Sequence, residues 1–303
     1  MNKTKKLLSV LITIVLIISV FSACSSEKGG YSTIDKNGTD TITTVSFNCA
    51  APWGNALKGT GSGTRVKKFS DYMNTVKPDT IGTQEMNSKW LEKLGTLMSD
   101  YDSYGVKRGG DDSENKSEMN AVFWLKDKYS CEEKDTFWLS ETPEKESRYE
   151  GAGCHRVCTY VVLKNNETGR MLIHMNTHLD NASEEAANYG AEVISQKIDE
   201  LNTKYPNVPI VLTGDFNETK GMIAYNTIAE KLIEPTSYII SIETKETYHA
   251  WGEITDGEPI DHIFVTKGKY ISNYKILDDT SNGYISDHYG VYIEWNPYQY
   301  EGD

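Results

Sequence analysis

Basic residues are in short supply. The chain has 31 lysines and arginines against 44 aspartates and glutamates, a formal charge of −13 over 303 residues. An acidic surface repels polyanions, so broad electrostatic adhesion to nucleic acid is excluded and only a local basic patch remains open. The longest basic cluster, residues 65–68, is interrupted by Val66. Cysteine is sparse too. Beyond Cys24 there are only Cys49, Cys131, Cys154 and Cys158. These thiols allow three pairings, among which sequence does not choose, and free buried thiols are an equal reading. Cys154-His155-Arg156-Val157-Cys158 lacks the haem-attachment spacing, and no second cysteine pair completes a zinc site. Asp111, Asp112 and Glu114 lack the EF-hand spacing, which leaves a solvated acidic loop as the expectation there. No repeat of fixed period is present. No break of linker composition divides the chain after its N-terminal segment, which points to one domain over 40–303. Disorder is excluded for that region by composition: 38% of the chain is hydrophobic, with 19 tyrosines and 6 tryptophans to fill a core.

What is present at the N-terminus is a leader. Lys3, Lys5 and Lys6 form a basic head, and an uncharged apolar run of 15 residues follows over 7–21. That is short for a membrane span and suits a signal-peptide core. Phe21-Ser22-Ala23-Cys24 then resembles a bacterial lipobox, with cleavage before Cys24 and lipid on its thiol. The expectation is a signal peptide over 1–23 and a polar, flexible tether over 24–39. An uncleaved anchor is the alternative. Either way the domain lies outside the cytoplasm, lipid-anchored at a bacterial cell membrane or secreted, in a compartment that permits disulfides.

Short β-branched and aromatic runs predict strands over 41–47, 79–83, 120–125, 158–163, 171–177, 209–213, 262–266 and 289–295. Helical spacing appears between them over 63–76, 88–98 and 183–205, the last with Ser183 as its cap. Strands interleaved with helices, alongside strand-only stretches, imply a mixed α/β sandwich in which helices cover two packed sheets.

The informative pattern is where the polar residues fall. Asn48 and Glu85 end the first two strands. His178 and Asp180 follow 171–177, and Asp215 and Asn217 follow 209–213. Asp261 and His262 open one strand, and Asp287 and His288 open the last. Strand ends are rigid, and side chains leaving them can converge on one crevice. Asn, Glu, Asp and His together offer hard oxygen ligands for Mg²⁺ or Mn²⁺, a base and cationic donors. Each fragment alone also reads as a turn or a surface feature; their order along the chain is what is specific.

That ordered set resembles the endonuclease/exonuclease/phosphatase family. The matching segments are Phe47-Asn48, Gln84-Glu85, Ser117-Glu118-Met119-Asn120, Thr177-His178-Leu179-Asp180, Gly214-Asp215-Phe216-Asn217, Ile260-Asp261-His262-Ile263-Phe264 and Ser286-Asp287-His288. Phe137-Trp138-Leu139-Ser140-Glu141-Thr142-Pro143 is similar to a bacterial branch of it. The resemblance implies a four-layer α/β/β/α sandwich of two packed mixed sheets flanked by helices. It also implies a phosphoesterase in which Glu85, Asn48 and Asp287 hold Mg²⁺ or Mn²⁺. Asp215 orients or deprotonates the attacking water, and Asn217 positions it. His178 and His288 donate to phosphoryl oxygens, oriented by Glu118 and Asp261 respectively. Arg156 faces the substrate or is a surface arginine. Tyr248 and Trp251 flank the substrate or serve the core. The implied substrate is a phosphorylated small molecule, a phospholipid head group or nucleic acid, handled by a monomer. A nuclease is the alternative within the class. A catalytically inactive, lipid-anchored binding protein is the alternative outside it, disfavoured because every expected position keeps a competent residue.

Overall fold

The computed structural model describes residues 40–51, 62–110, 118–237 and 245–300. The leader, Cys24, the tether and the acidic stretch Asp111, Asp112 and Glu114 lie outside the described residues.

Two sheets are each built around one parallel pair. In the first, β1 (Ile42–Asn48) and β2 (Thr80–Met86) run parallel, connected through α1 (Ser62–Val76). In the second, β7 (Met171–His178) and β8 (Ile210–Asp215) run parallel, connected through α3 (Glu184–Lys204). Parallel neighbours need such a crossover, and central strands covered on both faces become near-continuous apolar runs; all seven residues of β1 are buried. Antiparallel strands extend each pair. β3 (Tyr101–Tyr104), β4 (Met119–Leu125), β11 (Lys269–Leu277) and β12 (Gly290–Tyr300) complete the order β11-β12-β1-β2-β4-β3. β5 (Tyr129–Trp138), β6 (Val157–Asn165), β9 (Leu232–Ile233) and β10 (Asp261–Thr266) complete β5-β6-β7-β8-β10-β9.

Helices cover the outer faces. α1 and α2 (Ser88–Leu97) pack Phe69, Met73, Trp90 and Leu94 on the first sheet. α3 and α4 (Ile223–Ala229) pack Ile194, Ile198, Leu201 and Ile228 on the second. Ser183 caps α3, its Oγ accepting from the Ala186 N–H at 3.1 Å. The result is the four-layer α/β/β/α sandwich expected from sequence. The eight predicted strands and three helices are all present; β3, β5, β9, β11 and α4 are additional. Cys49, Cys131, Cys154 and Cys158 are all free thiols.

Between the sheets, two apolar clusters flank a polar seam. One gathers Ile42, Val211, Ile263 and Trp295, the other Val122, Trp124, Val161 and Leu163. In the seam Asn176 Oδ1 accepts from Gln84 Nε2 at 2.7 Å and from Thr213 Oγ1 at 3.0 Å. Asn176 Nδ2 donates across to the Thr83 and Ala121 carbonyls at 2.8 and 3.0 Å. These bonds fix the sliding register of one sheet on the other one residue before Glu85 and two before both His178 and Asp215. Gly82 permits the close approach: a Cβ there would stand 1.9 Å from Thr213 Oγ1.

Candidate active site

The site lies where both parallel pairs end. Asn48 sits beside Gln84 at the end of the first pair, and His178 beside Asp215 at the end of the second. β10 runs antiparallel on the other side of β8, so Asp261 is level with Asp215. The segment before β12 brings Asp287 and His288, held by the His249 N–H donating to the Asp287 carbonyl at 2.9 Å and by a bridge between Tyr248 and His288. Glu85 stands at a register break in the β2–β4 ladder with φ +56, and Asn217 follows β8 with φ +53. Both are non-glycine residues in the left-handed region, a conformation that persists when surrounding bonds demand it. A cleft of about 670 Å³ opens above them, lined among others by Glu85, Asp215, Asn217, Asp287 and both histidines.

Asp215 is the hub. Its Oδ2 accepts from Asn48 Nδ2 at 2.9 Å and faces His178 Nε2 at 3.5 Å and His288 Nε2 at 3.8 Å; Oδ1 accepts from the Asn217 N–H at 2.9 Å. Burial, with the Asp261 carboxylate adding to it, pushes its acid up to about 7 against the pull of His288, Asn217 and Asn48. A carboxylate so poised is a base matched to neutral water. His288 Nδ1 pairs with Asp261 Oδ2 at 2.8 Å. Burial opposes its charge, but Asp261, Asp215 and Asp287 outweigh it and raise the imidazole to about 10. His288 is therefore an imidazolium at neutral pH.

His178 differs. Burial, then Arg156, Arg108 and His288, hold it well below the ordinary imidazole range, so it is neutral. Its Nδ1 is buried without a hydrogen-bond partner. The expected Glu118–His178 pair is therefore not formed. Glu118 instead binds Arg108 Nη1 at 2.5 Å. The cause is local register: Lys107 bridges Met119, and the Arg108 N–H donates to the Glu118 carbonyl at 2.8 Å, bringing a permanent cation to that carboxylate. Trp138, from the Phe137–Pro143 motif, steadies the same loop by donating Nε1 to the Arg108 carbonyl at 2.7 Å. Arg156 lines the cleft, with Nε 3.3 Å from Asp180 and Nη2 donating to Asn181 at 2.9 Å. Asp180 lies under the wall, its Oδ1 accepting the Ala182 and Ser183 N–H groups at 3.0 Å. Arg108 lines the cleft as well, and Asn181 joins it without having been assigned a role by sequence; Asn181 directly follows the Thr177-His178-Leu179-Asp180 motif, its one signal. Tyr248 also lines the cleft, while Trp251 packs over buried Arg65 at 5.4 Å.

Glu85 and Asp287 form the opposite wall. Asn48 Nδ2 donates to Glu85 Oε1 at 3.1 Å and the Ala51 N–H to Oε2 at 2.5 Å. Asn48 Oδ1 is taken by the Ala50 N–H at 2.9 Å, which fixes the amide orientation. Asn48 therefore turns its nitrogen to the Glu85 and Asp215 carboxylates and its oxygen to the Ala50 N–H. Asp287 is raised above the ordinary carboxylate range by burial, with Glu85 adding repulsion. Ligand atoms of Glu85, His178 and Asp215 lie within 4.8 Å of one another, as do those of Asp215, Asp261 and His288. Crowded carboxylates whose mutual repulsion a dication relieves fit a divalent metal ion, with Glu85 and Asp287 as the residues that would hold it.

The profile of the endonuclease/exonuclease/phosphatase family matches residues 45–288, and the chain belongs to that family. Its fold is shared with a family protein from Bacteroides thetaiotaomicron at 29% identity and TM-score 0.75, covering 84% of this chain and 97% of that one. It is likewise similar to the mannosyl-6-phosphatase of Bacteroides thetaiotaomicron, at 28% identity and TM-score 0.76, over 84% of this chain and 99% of that one. The human Nocturnin catalytic domain with bound sulfate shares the fold at 17% identity and TM-score 0.68, over 84% of this chain and 94% of that one. No curated protein sequence matches significantly.

Proposed function

We propose that this protein is a divalent-metal-dependent hydrolase of phosphoric esters, acting on a small phosphorylated molecule outside the cytoplasm. The observation that carries the reading is the convergence on Asp215: a base poised near neutrality, an imidazolium 3.8 Å from it, and the Glu85–Asp287 wall on the same cleft. In the reaction Asp215 takes the proton of the attacking water, oriented by Asn217, as its oxygen bonds to phosphorus; the ester P–O bond breaks and the alkoxide leaves as the alcohol, protonated from solvent. His288, kept charged by Asp261, donates to a phosphoryl oxygen, and neutral His178 donates through its remaining N–H. Arg156 draws the anionic phosphate to that wall. A bound divalent ion supplies charge neutralisation and polarisation of the phosphoryl group.

A phosphomonoester of a sugar or similar polyol is the preferred substrate. Support comes from two guanidinium groups on one wall, Arg108 and Arg156, which suit a phosphate dianion. The 28%-identical mannosyl-6-phosphatase is consistent with it, as is the acidic surface, which disfavours long polyanions. Location follows from the leader, with Cys24 lipidated. Among the described residues no helix is long and apolar enough to cross a membrane.

The deciding experiment is a substrate panel with Mg²⁺, Mn²⁺ or excess chelator, with Asp215→Ala as control. It comprises mannose 6-phosphate, inositol phosphates, sphingomyelin, bis-p-nitrophenyl phosphate, oligonucleotides and plasmid. Metal-dependent release of phosphate from monoesters is expected. Full activity in chelator, or activity retained by Asp215→Ala, would sink the mechanism; a preference for sphingomyelin or nucleic acid would replace the substrate. Mass spectrometry of the mature N-terminus tests the anchor: an intact leader, or an unmodified mature form starting elsewhere, removes it.

A further inference from the structure

Arg65, in the first turn of α1, is 1% exposed. Burying a guanidinium is costly unless its donors are used, so its partners report why it is there. Nη1 donates to the Cys49 carbonyl at 2.6 Å and the Ile285 carbonyl at 3.0 Å, and Nη2 to the Ala50 carbonyl at 2.9 Å. The guanidinium carbon stands over two indoles, 5.1 Å from the Trp90 ring centre and 5.4 Å from that of Trp251.

These carbonyls belong to the two backbone segments that present the candidate ligands. The turn after β1 grips Glu85 twice, through Asn48 Nδ2 and the Ala51 N–H. Between those donors lie the two carbonyls that Arg65 binds, and Ala50 is held at φ +51, an unfavourable conformation for alanine. Ile285 precedes Asp287 by two residues. Ser286 Oγ, between them, accepts the His288 N–H at 3.1 Å and faces Asp287 Oδ1 at 3.3 Å. Trp251, at φ +64, belongs to the turn after His249, whose N–H holds the Asp287 carbonyl. One planar, five-donor group thus joins the Glu85 support to the Asp287 support.

We propose that Arg65 is a positioning residue for the metal-binding carboxylates, clamping the turn behind Glu85 and the segment before Asp287 into one frame. The proposal rests on the metal-dependent reading above. Lysine at this position keeps the charge but, as a single ammonium, does not reproduce the planar fork that spans both segments.

The test is Mn²⁺ binding by calorimetry or electron paramagnetic resonance, without substrate, for wild type, Arg65→Lys and Arg65→Met. Residues that support ligands without touching the metal change its affinity by roughly 10–100-fold when altered. Both variants should weaken Mn²⁺ by about that factor. Ile198→Ala, a cavity in the distant α3 packing, should lower the melting temperature while keeping wild-type affinity, which separates positioning from stability. Wild-type affinity in Arg65→Lys overturns the clamp. Should either Arg65 variant fail to fold, Trp251→Leu decides: a several-fold weaker affinity supports the clamp and an unchanged one overturns it. Absence of Mn²⁺ binding by the wild type is a different result, which fails the metal reading itself and the clamp with it.

Discussion

At the scale of single residues, the two histidines of the site have opposite electrostatic surroundings. His288 has the Asp261 carboxylate on Nδ1 and two further acids, Asp215 and Asp287, near it; His178 has two arginines and an unpartnered Nδ1. Activity that needs the His288 imidazolium persists below its raised value of about 10 and falls as pH rises through it. Asp261→Asn removes the main support, so that fall should move to lower pH, with turnover at neutral pH reduced roughly 10²–10⁴-fold. Because Asp261 acts through His288, Asp261→Asn combined with His288→Ala should cost much less than the product of the separate losses. Multiplicative losses in steady-state kinetics would refute the pairing. Glu118 acts on a different partner. Since it holds Arg108 and not His178, Glu118→Gln should raise KM several-fold while leaving kcat within about threefold, the signature of lost substrate binding. A large fall in kcat with unchanged KM would restore the carboxylate–histidine pair.

Elements are joined by contacts that stability measurements can resolve. The sheet–sheet seam leaves no room beside Gly82, where a Cβ would meet Thr213 Oγ1 at 1.9 Å and Asn176 Oδ1 at 2.7 Å. Gly82→Ala should therefore destabilise by about 3 kcal/mol, the upper range for overpacking a close-packed interior. Chemical denaturation with an unchanged midpoint would show that the seam yields. The C-terminal end of α3 is tied to the second sheet by Glu133, which accepts from Lys204 at 2.5 Å and from Tyr160 at 2.8 Å. Burial works against that carboxylate, yet the Lys204, Tyr205 and Tyr160 donors lower it to about 2. A depressed acid contributes stability above its unfolded value of about 4.5 and loses it as pH falls toward 2. Discounted for its partial exposure, the contribution is about 1–2 kcal/mol. Glu133→Gln should lower the melting temperature at pH 7, and the gap to wild type should close between pH 5 and about 2. A gap independent of pH would contradict the assignment.

For the whole molecule, charge and site pull in opposite directions. The chain is acidic, at −13, while Arg108 and Arg156 gather at the cleft. Two residues of the basic cluster at 65–68 are used elsewhere: Arg65 is buried beneath the site, and Lys67 pairs with Asp71 on the surface. A duplex needs several phosphate contacts to hold register, and two guanidinium groups at one wall are a short track. Plasmid nicking at physiological salt should therefore be at least about 100-fold slower than hydrolysis of the best small phosphate, a margin of roughly 3 kcal/mol in transition-state binding. Efficient nicking with a steep loss as salt rises would reverse this preference.

What sequence determined by itself was the interior of the fold and the membership of the site. All eight strands read from pattern are interior strands of the two sheets, where burial on both faces writes a continuous apolar run. The four strands that pattern did not reveal, β3, β5, β9 and β11, are the four sheet edges. Tyr101–Tyr104 is mostly half-exposed, and β5 alternates exposed and half-buried positions along Ser130–Lys134, so neither departs from an ordinary polar stretch. Asn48, Glu85, His178, Asp215, Asp261 and Asp287 were legible because each ends or adjoins an interior strand. Tertiary structure alone decided how they pair. Whether Glu118 meets His178 or Arg108 depends on which loop lies beside Met119. Whether Asn48 offers oxygen or nitrogen depends on the Ala50 N–H claiming one side of its amide. Whether a histidine is charged depends on the carboxylates and guanidinium groups that other strands bring near it. Those are through-space quantities, set by registers among segments far apart in the chain, 167 residues for Asn48 and Asp215, and no local pattern encodes them.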